Sequence, residues 1–122
     1  MRILLVEDDA TTVESVKLCL EIYEPGSIID NTNKGEEALA MLRESAYDCV
    51  LVDLGLPDID GTEVLKKLRI FSKIPVIVIS ARQDNMVVST TLALGADDYI
   101  TKPFDYHQLL KSLNQLTQHA SR

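Results

Sequence analysis

Short apolar runs alternate along this chain with segments whose apolar positions repeat at helical spacing. The runs are Ile3–Val6, Ser27–Asn31 with Ile28 and Ile29 at its centre, Cys49–Val52, Val76–Ile79 and the brief Asp98–Thr101. β-Branched residues fill most of them, which suits strands. After the first run, Val13, Val16, Leu20 and Tyr23 recur on one helical face behind Thr11 and Glu14, which read as a capping box. Ala38, Leu39 and Leu42 follow Asn33 and Glu36, Val64, Leu65 and Leu68 follow Asp60 and Glu63, and Leu109, Leu110, Leu113 and Leu116 follow Asp105 and Gln108. Each pair is a start signal for a helix. The segment Met86–Leu94 predicts a further helix, the fourth along the chain, but its Val87, Val88, Thr90 and Thr91 are weak helix formers. Pro25-Gly26, Gly61, Pro75, Gly95 and Pro103 punctuate the joins. Strict alternation of strand and helix predicts an α/β fold of (βα)5 type, a doubly wound parallel sheet covered on both faces.

That architecture gives meaning to the residues on which the strands end, because ligands of open parallel sheets bind beyond the carboxyl ends of the strands. Val50, Leu51 and Val52 form the continuous apolar run of a fully buried strand, yet the run stops on a carboxylate, Asp53. The first strand ends on Glu7, Asp8 and Asp9, the fourth on Ser80, and the fifth on Thr101 and Lys102 before Pro103. Carboxylates gathered at one edge repel each other unless a cation intervenes. Oxygen ligands suit a hard ion such as Mg²⁺, which typically binds through one or two carboxylates plus a phosphate. Lys102 and Ser80 offer a fixed positive charge and a hydroxyl donor, as a phosphoryl group requires. The set suits the placing of a phosphoryl group on a carboxylate, with Asp53 central because its strand should neighbour the first.

Composition narrows the setting. A chain of 122 residues with 46% apolar residues can bury a core as one domain; residues 1–118 are expected to form it, with 119–122 a tail or the start of a linker. Cys19 and Cys49 are too few for a disulfide framework and lie among apolar neighbours, as plain packing residues in a reducing cytoplasm would. The run Ile3–Val6 is too short and too acidic in its flank for a signal peptide or a membrane span. A net charge of -7 argues against binding of nucleic acid or an anionic membrane by this segment. Cations and basic surfaces are the expected partners.

VEDD (Val6–Asp9), VDLGLPDIDG (Val52–Gly61), VISAR (Val78–Arg82) and GADDYITKPF (Gly95–Phe104) together resemble the receiver domain of two-component response regulators, over essentially the whole chain. The likeness is greatest to receivers of winged-helix transcription regulators. It implies a flavodoxin-like sheet of strand order 2-1-3-4-5 and a phosphorylation-dependent signalling switch that assists its own phosphorylation and dephosphorylation without being an enzyme in its own right. By the same resemblance Asp53 accepts the phosphoryl group, while Asp8 and Asp53 hold Mg²⁺ with the backbone carbonyl of Gly55, and Glu7 acts through metal-bound water. Lys102 bridges the phosphoryl group and the acids, Ser80 swings to bond it, Tyr99 rotates inward behind Ser80, and Lys102-Pro103 is cis. The implied partners are a sensor histidine kinase or phosphotransfer protein, an output domain or effector controlling transcription, and a second copy on activation. The implied output surface is the face of the fourth helix, fifth strand and fifth helix.

Other acids and both histidines carry blander readings. Asp58 and Asp60 are turn residues, Asp60 a helix cap, and neither is assigned a catalytic role. Asp9 is ambiguous between helix N-terminal acid and site residue. His107 and His119 are expected at the surface. Gly55 is smaller than is common in the family, which leaves room for water near Asp53. A flavodoxin-like redox carrier would need a hydroxyl- and glycine-rich phosphate cradle where this chain has Glu7-Asp8-Asp9. An aspartyl phosphatase would want a second acid at Gly55.

Overall fold

The computed structural model describes residues 1–120, with side chains as far as Thr117. The elements are β1 (Arg2–Val6), α1 (Ala10–Tyr23), β2 (Ile28–Thr32), α2 (Gly35–Glu44), β3 (Cys49–Val52), α3 (Gly61–Phe71), β4 (Val76–Ser80), α4 (Asn85–Ala93), β5 (Asp98–Thr101) and α5 (Tyr106–Ala120). The strands are all parallel, in the order β2-β1-β3-β4-β5. This is the flavodoxin-like arrangement expected from the sequence.

Alternation along the strands builds two cores from one sheet. Leu4, Val6, Val50, Val52, Val76 and Val78 face Ala38 and Leu39 of α2 and Val64, Leu65 and Leu68 of α3. Their neighbours Ile3, Leu5, Cys49, Leu51, Ile77, Ile79 and Ile100 face Val16, Cys19 and Leu20 of α1 and Leu109 and Leu113 of α5. Because both faces are covered, the central strands read as unbroken apolar runs. The edge strand β2 is different: Ile28 is 57% exposed. Both cysteines are buried and free, and burial pushes the Cys49 thiol up to about 12, so neither is a nucleophile at neutral pH.

Helix starts depart from the sequence reading in two places. The capping box expected from Thr11 and Glu14 does not form; Asp9 is the N-cap of α1, its carboxylate accepting the Thr11 amide (3.0 Å) and the Thr12 hydroxyl (3.1 Å). The helix begins sooner because β1 delivers a carboxylate directly to the positive end of its dipole. At α2 the N-cap is Lys34, without a side-chain cap bond, rather than Asn33. Asp60 and Asp84 cap α3 and α4, and Asp105 accepts the His107 amide (2.7 Å) at the start of α5. Tyr23, expected on the apolar face of α1, is 51% exposed and meets the Tyr106 ring edge-on. In α4 only Thr91 is fully buried. His107 is exposed; the expectation for His119 lies outside the described side chains. Among the described residues no helix is long and apolar enough to cross a membrane.

The connection between β3 and α3 is tight. The Gly61 amide donates to the Leu54 carbonyl (2.8 Å), and a Cβ on Gly61 would collide with the Asp53 carbonyl oxygen and lie 2.6 Å from Leu54 Cα. Gly61→Ala should therefore destabilise the domain by about 2 kcal/mol, because backbone cannot yield as a flexible side chain can. At Gly55 an added Cβ meets only Asp53 Oδ2, at 3.9 Å, so Gly55→Ala should leave the urea midpoint unchanged or slightly higher. Equal midpoints for the two variants would contradict this account of the turn.

Candidate functional site

The parallel register decides which polar side chains meet. Val6 pairs with Val52 across β1 and β3, so Glu7 and Asp53 leave the sheet side by side. Both extend the rows that face α1 and α5, as Lys102 does beyond Ile100. Lys102 Nζ lies 2.6 Å from Glu7 Oε1 and 3.4 Å from Asp53 Oδ2. Glu7 is almost wholly buried, and its second oxygen accepts the amides of Asp8 (3.1 Å) and Asp9 (3.2 Å). Asp8 is exposed beside it, and Glu7, Asp8 and Asp53 each offer a carboxylate oxygen within 4.8 Å of the others'. The Lys102-Pro103 bond is cis, as expected.

Burial pushes the Glu7 carboxyl above its ordinary range; the Lys102 hydrogen bond pulls the other way and the Asp53 charge adds to the rise. Burial would lower the Lys102 ammonium, but the Glu7 hydrogen bond and the charges of Glu7 and Asp53 carry it above its ordinary value. Lys102 is thus a permanent cation at neutral pH, held where carboxylates would otherwise repel.

Ser80 and Tyr99 occupy the other face of the sheet. Tyr99 pairs with Val78 and Ser80 with Thr101, which places the two as diagonal neighbours on the side of α3 and α4. Arg82 links them: its amide donates to Ser80 Oγ (3.2 Å) and its carbonyl accepts the Tyr99 hydroxyl (2.8 Å). The Arg82 guanidinium also stands 3.8 Å from Asp60. Nothing local in the sequence marks Arg82, because the bridge is made by its backbone groups.

Two clefts flank the cluster. One, of about 410 Å³, is lined by Glu7, Asp8, Glu14, Asn31 and Glu37 among others and is strongly acidic. The second, also about 410 Å³, opens between α1 and the β5–α5 connection, with Thr11, Thr12, Lys102, Pro103 and Phe104 in its wall. Asp9 borders it, with its carboxylate engaged as the α1 cap. Asp60 is the cap expected of it, whereas Asp58 reaches across to α2, accepting the amides of Gly35 (2.8 Å) and Glu36 (3.0 Å).

A doubly wound sheet with acids just past β1 and β3 and a lysine just past β5 defines a class, and comparison with known proteins agrees. A family model, the response regulator receiver domain, matches residues 3–114, and this chain belongs to that family. The cell cycle transcriptional regulator CtrA of Caulobacter vibrioides is 36% identical over 120 residues, covering 97% of this chain and 51% of that protein. The chain spans about half the length of the curated relatives it matches. The receiver domain of Francisella response regulator 1452 superposes with a TM-score of 0.89 at 31% identity, covering 98% of each chain. The receiver domain of sensor histidine kinase PA1611 from Pseudomonas aeruginosa PAO1, solved with a magnesium ion coordinated in its active site cleft, superposes with a TM-score of 0.86 at 26% identity, covering 96% of this chain and 97% of that one.

Removing Lys102 should expose the cost of the buried Glu7. In Lys102→Met, without divalent cations, the Glu7 carboxyl loses the hydrogen bond that lowers it, and its folded-state pKa rises further. A folded pKa above the unfolded one stabilises only while the group is protonated, and that contribution disappears as pH climbs through the folded value. The variant should therefore match the parent most closely below the ordinary value of 4.5 and fall behind by about 2 kcal/mol at neutral pH. Urea unfolding across that range reads the difference; a gap independent of pH would contradict it.

Proposed function

We propose that this chain is a phosphorylation switch in which Asp53 accepts a phosphoryl group from a phosphohistidine on a sensor histidine kinase or phosphotransfer protein. The observation that carries this reading is Lys102 held between Glu7 and Asp53, with Asp8 alongside, at the carboxyl edge of the sheet. An Asp53 oxygen attacks phosphorus as the P–N bond breaks, and the electron pair leaves with the partner's imidazole. Lys102 offsets the charge on the phosphoryl oxygens. The clefts suggest separate approaches, a cation from the acidic side and the donor from the Lys102 side.

The carboxylate oxygens of Glu7, Asp8 and Asp53, within 4.8 Å of one another, suit a hard cation such as Mg²⁺ in chemistry. Asp8, Asp53 and the Gly55 carbonyl would hold it directly, with Glu7 acting through water. When bound, the ion would neutralise charge on the acceptor and the phosphoryl oxygens. Gly55 leaves the space beside Asp53 Oδ2 open, which gives water room to approach the acyl phosphate.

The signal leaves through Ser80. A phosphoryl group on Asp53 adds about two negative charges and three acceptor oxygens, which draw the Ser80 hydroxyl and release the Arg82 amide it now accepts. Because Arg82 also holds Tyr99, the rearrangement reaches β5 and α4. The face of α4, β5 and α5 is the output surface, acting on a DNA-binding output domain or an effector and open to a second copy on activation. The likeness to CtrA, a transcriptional regulator, supports control of transcription as the output, with the chain acting in the cytoplasm.

With Mg²⁺ and acetyl phosphate the parent should gain one hydroxylamine-labile phosphoryl group, and Asp53→Asn should gain none; full modification of the Asn variant by intact mass would remove Asp53 as acceptor. Lys102→Ala should fold but phosphorylate more slowly. Hydrogen exchange with beryllofluoride, a phosphoryl mimic, should change through residues 84 to 106. A change confined to Asp8, Asp53 and Lys102 would sink the route through Ser80 and Tyr99.

A further inference from the structure

Asp58 stands in an unusual relation to α2. Helices generally find an acceptor for their first amides at their own N-cap, but Lys34 makes no side-chain cap bond. The missing acceptor comes from 23 residues away: Asp58 Oδ1 takes the Gly35 amide at 2.8 Å, and its Oδ2 takes the Glu36 amide at 3.0 Å. These amides, the Glu36 one first, hold the Asp58 carboxyl below its ordinary range. The contact is reinforced by close packing, since a Cβ on Gly35 would come within 2.6 Å of both Ile59 and Val64 side chains. An ion pair between Lys67 of α3 and Glu36 (3.0 Å) ties the same two helices.

The segment so anchored is the β3–α3 connection, whose far end is held by the Gly61 amide on the Leu54 carbonyl. Between the anchors lies Gly55, exposed, where an added Cβ would stand 3.9 Å from Asp53 Oδ2. A glycine next to a charged acceptor has many conformations open to it. Its carbonyl can stay aimed at one place only if the loop is fixed on both sides, and on the α2 side that fixing falls to Asp58.

We propose that Asp58 is a positioning residue for the acceptor site: by capping α2 from the β3–α3 loop it holds the Gly55 carbonyl where the cation beside Asp53 needs it. The inference rests on the metal-binding reading above and extends it to a residue that touches neither metal nor phosphoryl group. Partners of this kind, which orient a ligand without touching the metal, commonly change affinity by roughly 10–100-fold when removed.

A simple Asp58→Ala result would confuse loop positioning with loss of a helix cap, so the test needs Lys34→Ser as well. Serine at the N-cap can accept an α2 amide locally, restoring the cap in Asp58→Ala/Lys34→Ser without rebuilding the bridge. Mg²⁺ affinity is measured by calorimetry at an ionic strength where the Debye length is about 8 Å, to screen the lost charge. Amide exchange is followed without metal. Asp58→Ala should bind Mg²⁺ about tenfold more weakly than the parent, with faster exchange at Gly55, Leu56 and Ile59. In the double variant protection should return at Glu36, while Mg²⁺ affinity and exchange at Gly55 and Leu56 stay as in Asp58→Ala. Recovery of parent affinity in the double variant would reduce Asp58 to a helix cap and overturn the proposal, as would parent-like affinity in Asp58→Ala. A parent that binds no Mg²⁺ would instead strike the metal-binding reading, and the exchange arm would still decide whether Asp58 holds the loop.

Discussion

Five parallel strands carry their carboxyl ends to one edge, and the residues that follow must either leave the sheet as ordinary turns or meet there. Here Glu7, Asp53 and Lys102 meet, because they extend rows that already face the same layer of helices. The register that buries Ile3, Leu5, Cys49, Leu51 and Ile100 is the same register that aligns the charges, so core packing and site geometry are one constraint.

That arrangement brings an electrostatic problem. Glu7 is buried and raised by desolvation, and Asp53 stands close enough to raise it further. Lys102 relieves both, and its own ammonium is secured by the charges it offsets. The balance is local and incomplete, since Asp8 remains exposed with an oxygen near those of Glu7 and Asp53. The edge thus carries spare negative charge and a fixed cation side by side, the chemical features on which the proposed function rests.

Rigidity is unevenly spread around the edge. The β3–α3 connection is pinned by Gly61, Asp58 and the packing of Gly35 against Ile59. The β4–α4 connection depends on single contacts through Arg82, and it leads into a helix with one fully buried residue. The loop beside Asp53 is thus the tightly held one and the loop beside Ser80 the loosely held one.

Much of this was legible in the sequence. Apolar runs set apart by helical periods are enough to predict the alternating fold, and a charged residue closing a buried strand is conspicuous because burying an unpaired charge is costly. Asp53, Glu7, Asp8 and Lys102 stand out on that ground alone. The caps show where such reasoning stops. Asp60 is found because its acceptor and donor lie two residues apart, whereas Thr11 and Glu14 form a good local pattern that Asp9 displaces once β1 fixes where the helix starts. Asp58 looked like a turn residue because its partners, Gly35 and Glu36, belong to another helix. Arg82 acts partly through its backbone, which every residue has. The sequence by itself determined the elements, their order and the charges at their ends, since these depend on neighbours along the chain. Only the tertiary structure decided which loop caps which helix and which backbone group joins Ser80 to Tyr99, because those bonds exist only after distant segments have been packed together.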